Sequence, residues 1–345
     1  MRSIEETRGL STLEAEFENT FCKNRPEFSG MFKAWDMASD IQMARHALAM
    51  IYSIKRGNKP KASALPYKTH DVRVPVRDGT TIPARIYTPK NKRSPPRGRP
   101  CMYICHAGDY VVGEFDTEEW LCEAFVAMGG VAVDVLYRHA PEHVFPIQVH
   151  DSYDGLRWLA QNYASLDIDP TRGFLIAGEG NGADIALAIA HLYADEALSP
   201  PLTGLYIAAP QAMIPEIVPK QYRDHFFSIE QNANVPLLSA ESLKFIRSVY
   251  KPDPTSPLAY PIAFPDHSKM PKTYFQVCGF DPTRDCGLIL EQVWKDCGIE
   301  TKTDVFAGLP HRFWASLIHA RFTKKHAEMS RDGLSWLLGV ERKNG

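Results

Sequence analysis

From residue 101 onward, short apolar runs alternate with amphipathic stretches. Residues 102–105 and 131–135 read as buried strands on either side of a helix over 117–128. A helix near 149–163 follows, then a strand at 174–177 and a helix over 183–190. Further strands are expected at 204–208, 273–278 and about 301–306. Such alternation builds a mostly parallel central sheet flanked by helices on both faces, an α/β architecture. Upstream, 70–76 and 81–87 alternate in polarity around Arg77-Asp78-Gly79, which predicts an antiparallel hairpin. Phe32, Trp35, Met37, Ile41, Met43, Ala44, Ala47 and Ile51 recur at rough helical spacing. Residues 1–60 are therefore expected to form an N-terminal helical cap segment ahead of a core over 61–345. The Lys- and Pro-rich stretch 58–69 reads as a linker, and 90–100 as an exposed basic loop. Helix-like aromatic sequence over about 213–250 interrupts the alternation and is expected to be a cap insertion.

Composition narrows the functional classes. The chain has 345 residues, 44% hydrophobic and 23% charged, with a net charge of −2, which is ordinary globular composition. Near-neutral charge gives no reason to expect nucleic acid or an anionic membrane as partner. No apolar run approaches the ~18 residues of a spanning helix, and the polar start does not read as a signal peptide. Cysteines stand at 22, 101, 105, 122, 278, 286 and 297, odd in number and without a C-x-x-C pair. They read as free thiols in a reducing compartment, so a cytoplasmic location is expected. Dimerisation stays open: a homodimer is neither required nor excluded.

The most informative segment is Gly178-Glu179-Gly180-Asn181-Gly182, between a strand and a helix. That context belongs to the G-x-S-x-G nucleophile elbow, with glycine in place of the serine. The same residues satisfy G-x-G-x-x-A, but 195–202 lacks the strand end with an acidic residue that dinucleotide binding needs. His139 and His143 lie four apart in a non-helical segment, so no metal site is expected there. No metal or organic cofactor is expected.

Several blocks in order resemble the hormone-sensitive-lipase-like branch of the α/β-hydrolases, which includes plant carboxylesterases and microbial esterases. Tyr137-Arg138-His139-Ala140-Pro141-Glu142, followed by Phe145-Pro146 and Asp151, is similar to that family's Y-R-x-A-P-E…F-P…D. His106-Ala107-Gly108-Asp109-Tyr110 stands where the family has H-G-G-G and an aromatic residue. Ser256-Pro257-Leu258 resembles S-P-L, Asp281-Pro282-Thr283-Arg284-Asp285 resembles D-P-L-x-D, and Gly308-Leu309-Pro310-His311-Arg312-Phe313 resembles G-x-x-H-x-F.

The resemblance covers roughly residues 70–335 and implies an α/β-hydrolase fold with a helical cap. It also implies the order nucleophile, acid, histidine, here Gly180, Asp281 and His311. The acid and base remain while the nucleophile does not. Asp109 replaces an oxyanion-loop glycine, and Glu179 and Asn181 stand where the family usually has Asp and Ala. Glycine adopts the strained elbow at low cost, so Gly180 fits the same turn. Loss of the nucleophile costs serine proteases about 10⁶ in rate, which argues against ordinary acyl transfer.

The expected catalytic residues are therefore His311, Asp281 and Asp109. Ala107, Gly108, Tyr110, Gly180, Glu179, Asn181, Trp35 and Phe313 are expected to form the oxyanion loop and substrate pocket. The backbone N–H groups of Ala107 and Gly108, and the Asp109 or Tyr110 side chain, are expected to face developing charge. Serine-less relatives of plant carboxylesterases act as cyclases, so the resemblance implies a cyclase, isomerase or lyase acting on a hydrophobic small molecule. Two alternatives stay open. One is a receptor, since gibberellin receptors of plants bind a ligand on this fold without turnover. The other is slow ester cleavage by His-activated water.

Overall fold

A computed structural model describes residues 1–23, 41–43, 45, 46, 64–90, 95 and 98–340. The sheet has eight strands: β1 (Tyr67–Pro75), β2 (Thr81–Pro89), β3 (Cys101–Cys105), β4 (Val131–Val135), β5 (Phe174–Glu179), β6 (Gly204–Ala208), β7 (Thr273–Cys278) and β8 (Thr301–Phe306). Their order is β1-β2-β4-β3-β5-β6-β7-β8. The β1–β2 and β2–β4 pairs are antiparallel, and every other pair is parallel. The expected hairpin forms, with Gly79 at φ 83° in its turn and Asp78 Oδ1 accepting from Thr80 N at 3.0 Å. It begins earlier than the linker expectation allowed, because Tyr67 already pairs with Pro89 across the register.

Alternation along the central strands divides the core into two layers. Cys101, Tyr103 and Cys105 join one apolar layer, with Ile176, Ile207 and Phe275. Met102 and Ile104 join the other, with Leu175, Ala177, Tyr206 and Tyr274. Both layers are covered, so all five residues of β3 are buried. On the first face lie residues of α3 (Ile147–Asn162), α4 (Asn181–Asp195) and α6 (Arg284–Asp296). On the second lie α2 (Glu119–Ala127) and α7 (Arg321–Leu337). The remaining labelled helices are α1 (Ile4–Gly9) and α5 (Ala240–Tyr250).

Two connections bear on the site. Arg138 forks onto the buried Asp151, with Nε 2.8 Å from Oδ2 and Nη2 2.7 Å from Oδ1, which ties the 137–142 segment to α3. At the other end, Gly308 N donates to Leu10 O at 2.7 Å and Glu14 N donates to Gly308 O at 3.3 Å. Gly308 has φ 70°, and a Cβ there would lie 2.2 Å from Glu14 N and Thr12 O. Only glycine lets the N-terminal chain approach so closely.

The 213–250 segment does interrupt the strand–helix alternation between β6 and β7, as short turns followed by α5. Of the N-terminal apolar positions, Ile41 and Met43 lie in a helix, while Phe32, Trp35, Met37, Ala44, Ala47 and Ile51 fall outside the described residues. Among those described, no helix is long and apolar enough to cross a membrane.

Candidate active site

Gly180 stands alone between the end of β5 and the start of α4, at φ 54° and ψ −128°. L-residues with side chains rarely adopt that backbone, which matches the strained elbow expected for a nucleophile. A Cβ at this position would lie 3.3 Å from His311 Nε2, 3.2 Å from Arg312 Cδ and 3.8 Å from Ala107 Cβ. The histidine therefore points at the place a nucleophile would occupy.

His311 lies beyond β8 and Asp281 just beyond β7, so the parallel order brings them together at the strand ends. His311 Nδ1 is 2.7 Å from Asp281 Oδ2. The other carboxylate oxygen accepts from Thr283 N at 2.7 Å and Thr283 Oγ1 at 2.8 Å. Both groups are buried. An acceptor held in this way keeps the proton of a neutral imidazole on Nδ1, leaving the Nε2 lone pair toward Gly180.

The loop after β3 supplies the third expected catalytic group. Asp109, at φ 55°, donates its N–H to Asn181 Oδ1 at 2.8 Å, and its Oδ1 accepts from Gln211 Nε2 at 3.3 Å. Burial pushes its carboxyl up from the usual range, while the Gln211 hydrogen bond and the Arg312 charge pull it back. Asp109 sits within electrostatic reach of the imidazole, in a position that favours its protonated form.

The remaining expected residues divide. Gly108 N–H and Asn181 N–H have no acceptor among the described residues. Ala107 N–H is turned away, donating to the buried Glu118 Oε1 at 3.1 Å, which corrects its expected role as an oxyanion donor. Tyr110 is also corrected: its hydroxyl donates to Asp184 Oδ2 at 3.2 Å, and its ring stacks on Tyr250 at 3.6 Å. Its proton is held by a buried carboxyl rather than offered to a substrate. Asn181 is fully buried and acts beneath the loop, donating from Nδ2 to the Tyr137 hydroxyl at 3.0 Å.

Glu179 is corrected from the substrate pocket to a buried ion pair, its Oε2 accepting from Arg312 Nη2 at 3.0 Å and Trp314 Nε1 at 2.8 Å. Phe313 is corrected from pocket wall to core. It is fully buried, with ring centroids 5.3 Å from Phe306 and 5.3 Å from Phe322. Arg312 at φ 45° and ψ 40° redirects the chain between His311 and Phe313. Trp35 lies outside the described residues.

Sequence reasoning missed Thr283, Gln211, Glu118 and Arg312. Thr283 carried a signal, since Thr two residues after Asp is an Asx-turn pattern. Gln211, after β6, carried none. Among the described residues, no group of three His, Cys, Asp or Glu side chains is arranged to hold a metal ion.

Comparison with known proteins places the fold in a family. An AB hydrolase superfamily protein of Schizosaccharomyces pombe is 33% identical over 79% of this chain and 80% of its own. A versiconal hemiacetal acetate esterase of Dothistroma septosporum is 32% identical over 84% of this chain and 87% of its own. Among solved structures, vibralactone cyclase superposes with a TM-score of 0.81 and 29% identity, covering 96% of both chains. Residues 102–315 match the profile of the family described as alpha/beta hydrolase fold, and the chain belongs to that family.

Proposed function

We propose that this chain is a non-hydrolytic proton-transfer enzyme, a cyclase, isomerase or lyase acting on a hydrophobic small-molecule intermediate of specialised metabolism. The observation that carries the reading is the pairing of an assembled Asp281–His311 dyad with a glycine at the point its Nε2 faces. A dyad with no nucleophile to deprotonate has its base available to the substrate itself. His311 Nε2 takes a proton from a C–H or O–H of the substrate. Asp109, whose carboxyl is pushed up by burial, gives a proton to the oxygen that gains charge. His311 and Asp109 recover their starting states by exchanging protons with product or solvent, and the substrate is neither oxidised nor reduced. The space above Gly180 receives part of the substrate.

The likeness to vibralactone cyclase supports a ring-forming reaction, and the relative named for versiconal hemiacetal acetate supports specialised metabolism. That relative is also named an esterase, which favours a second reading in which His311 activates water.

Gly180→Ser assayed beside the wild type, with p-nitrophenyl esters and a fluorophosphonate probe, tests the proposal. An inert wild type and a variant that labels or cleaves mean the dyad is competent and serves proton transfer. Two inert proteins count against it and favour a binding role. Wild-type cleavage without an acyl-enzyme burst, lost in His311→Ala, selects the second reading.

A further inference from the structure

Behind Gly180 lies a second ionisable cluster that the proposed chemistry does not use. Glu118, just before α2, and Glu179, at the end of β5, are both fully buried. They share Arg312: its Nη2 is 2.6 Å from Glu118 Oε1 and 3.0 Å from Glu179 Oε2, and its Nε is 3.2 Å from the latter. The remaining oxygens, Glu118 Oε2 and Glu179 Oε1, are buried with no donor. The two carboxyls nonetheless flank the same guanidinium nitrogen, Arg312 Nη2.

Other titratable groups lie around Arg312 and this pair. They are Cys122 on α2, Tyr206 on β6, Cys278 on β7, His106 in the loop after β3, and His326 on α7. Burial keeps each of them neutral near pH 7: it pushes the thiols and phenol up and both histidines down to about 3. Among the described groups facing the pair, Arg312 is the one cation. Two ionised carboxylates against one guanidinium would leave a buried net negative charge, which costs several kcal/mol. One proton held by the pair removes that charge.

We propose that Glu118 and Glu179 hold a single proton between them at neutral pH. With Arg312 they form a positioning unit that fixes the oxyanion loop against the His311 turn. Glu118 grips the loop through Ala107 N–H, and Arg312 grips the turn as the residue after His311. Its bearing on catalysis rests on the proton-transfer reading, whereas the shared proton stands independently of it.

Infrared difference spectra of the full chain at neutral pH test the proton. Subtracting Glu118→Gln or Glu179→Gln from wild type isolates this pair from other buried carboxyls. Each variant is expected to lose one protonated-carboxyl C=O band, and persistence of the band in either overturns the proposal. Should a Gln variant fail to fold, Arg312→Met serves instead. Without the cation, a second protonated carboxyl is expected, and an unchanged band overturns the proposal. For positioning, the proton on His311 Nδ1 is expected to give a downfield NMR signal in the wild type. It is expected to survive in Glu179→Gln and to be lost in Glu179→Ala. Survival in both overturns the positioning role. None of these readouts needs turnover, so their failure is distinct from failure of the proposed function.

Discussion

Gly180 concentrates the chemistry and the backbone strain in one residue. At φ 54° an added side chain is strained, so Gly180→Ala is expected to destabilise the fold by about 1–3 kcal/mol. The denaturant midpoint should fall without a change in slope. A Ser at 180 also meets the Arg312 stem at 3.2 Å from its Cβ. Gly180→Ser/Arg312→Ala is therefore expected to react with fluorophosphonate faster than Gly180→Ser. Equal rates would mean the stem yields freely.

Asp109 makes a pH prediction. Its carboxyl is raised, and the proposed chemistry needs it protonated, so turnover should fall as pH rises through its pKa. Asp109→Asn keeps an acceptor for Gln211 but has no proton to lose. It should be about 10²–10⁴ slower and lack that alkaline limb. His311→Ala should lose a similar factor in turnover while ligand affinity holds.

At the scale of elements, the N-terminal segment reaches the site through Arg45. Its Nε donates to Val111 O at 2.8 Å and its Nη2 to Ala140 O at 2.6 Å, while Glu142 takes a two-pronged ion pair at 2.7 and 2.6 Å. The Arg45 guanidinium holds Glu142 down to about 2, so this pair stays charged across the working pH range. Arg45→Ala strips a donor from two carbonyls on either side of the oxyanion loop. Faster hydrogen exchange over 108–112 and a raised KM are expected, and unchanged exchange would show that the clamp does not order the loop.

This contact was invisible in the sequence, because nothing in the local pattern around Arg45 names partners 66 to 97 positions away. Strands were legible, since a doubly covered sheet demands continuous apolar runs such as 101–105. The dyad was legible because its residues sit in motif blocks at strand ends. Side-chain direction was not. Phe313 shares a block with His311, yet the left-handed turn at Arg312 sends it into the core. Tyr110 shares a loop with Asp109, yet it stacks on Tyr250 of α5.

Across the whole molecule, buried carboxyls and buried histidines oppose each other with pH. Asp109, Asp134, Asp184 and Glu118 are all raised by burial. The folded state holds protons that the unfolded chain releases, so their contribution is full at acid pH and is lost as pH rises toward the folded pKa. His106 and His326 are lowered to about 3, and His139 and His191 to about 4. Below about 6.5 the unfolded chain takes up protons that these sites refuse, so their contribution is lost as pH falls. Above neutrality the carboxyls raised well above their usual range act, joined by the buried thiols such as Cys122 and Cys278 that burial also raises, and Tm is expected to decline from pH 7 to 9. A rising Tm over that range would show the carboxyls to be ionised in the fold.

The placement of Arg312 also bears on ancestry. A glycine codon can become a serine codon by one nucleotide change, so a return to hydrolase chemistry looks close in genetic distance. The guanidinium is anchored by Glu118 and Glu179, and its stem stands against the Cβ such a mutant would gain. The first mutant on that path inherits a hydroxyl that reacts, but against a crowding stem. Full reactivity of a serine at 180 is expected to take a second substitution at Arg312, so a single codon change understates the distance between the two chemistries.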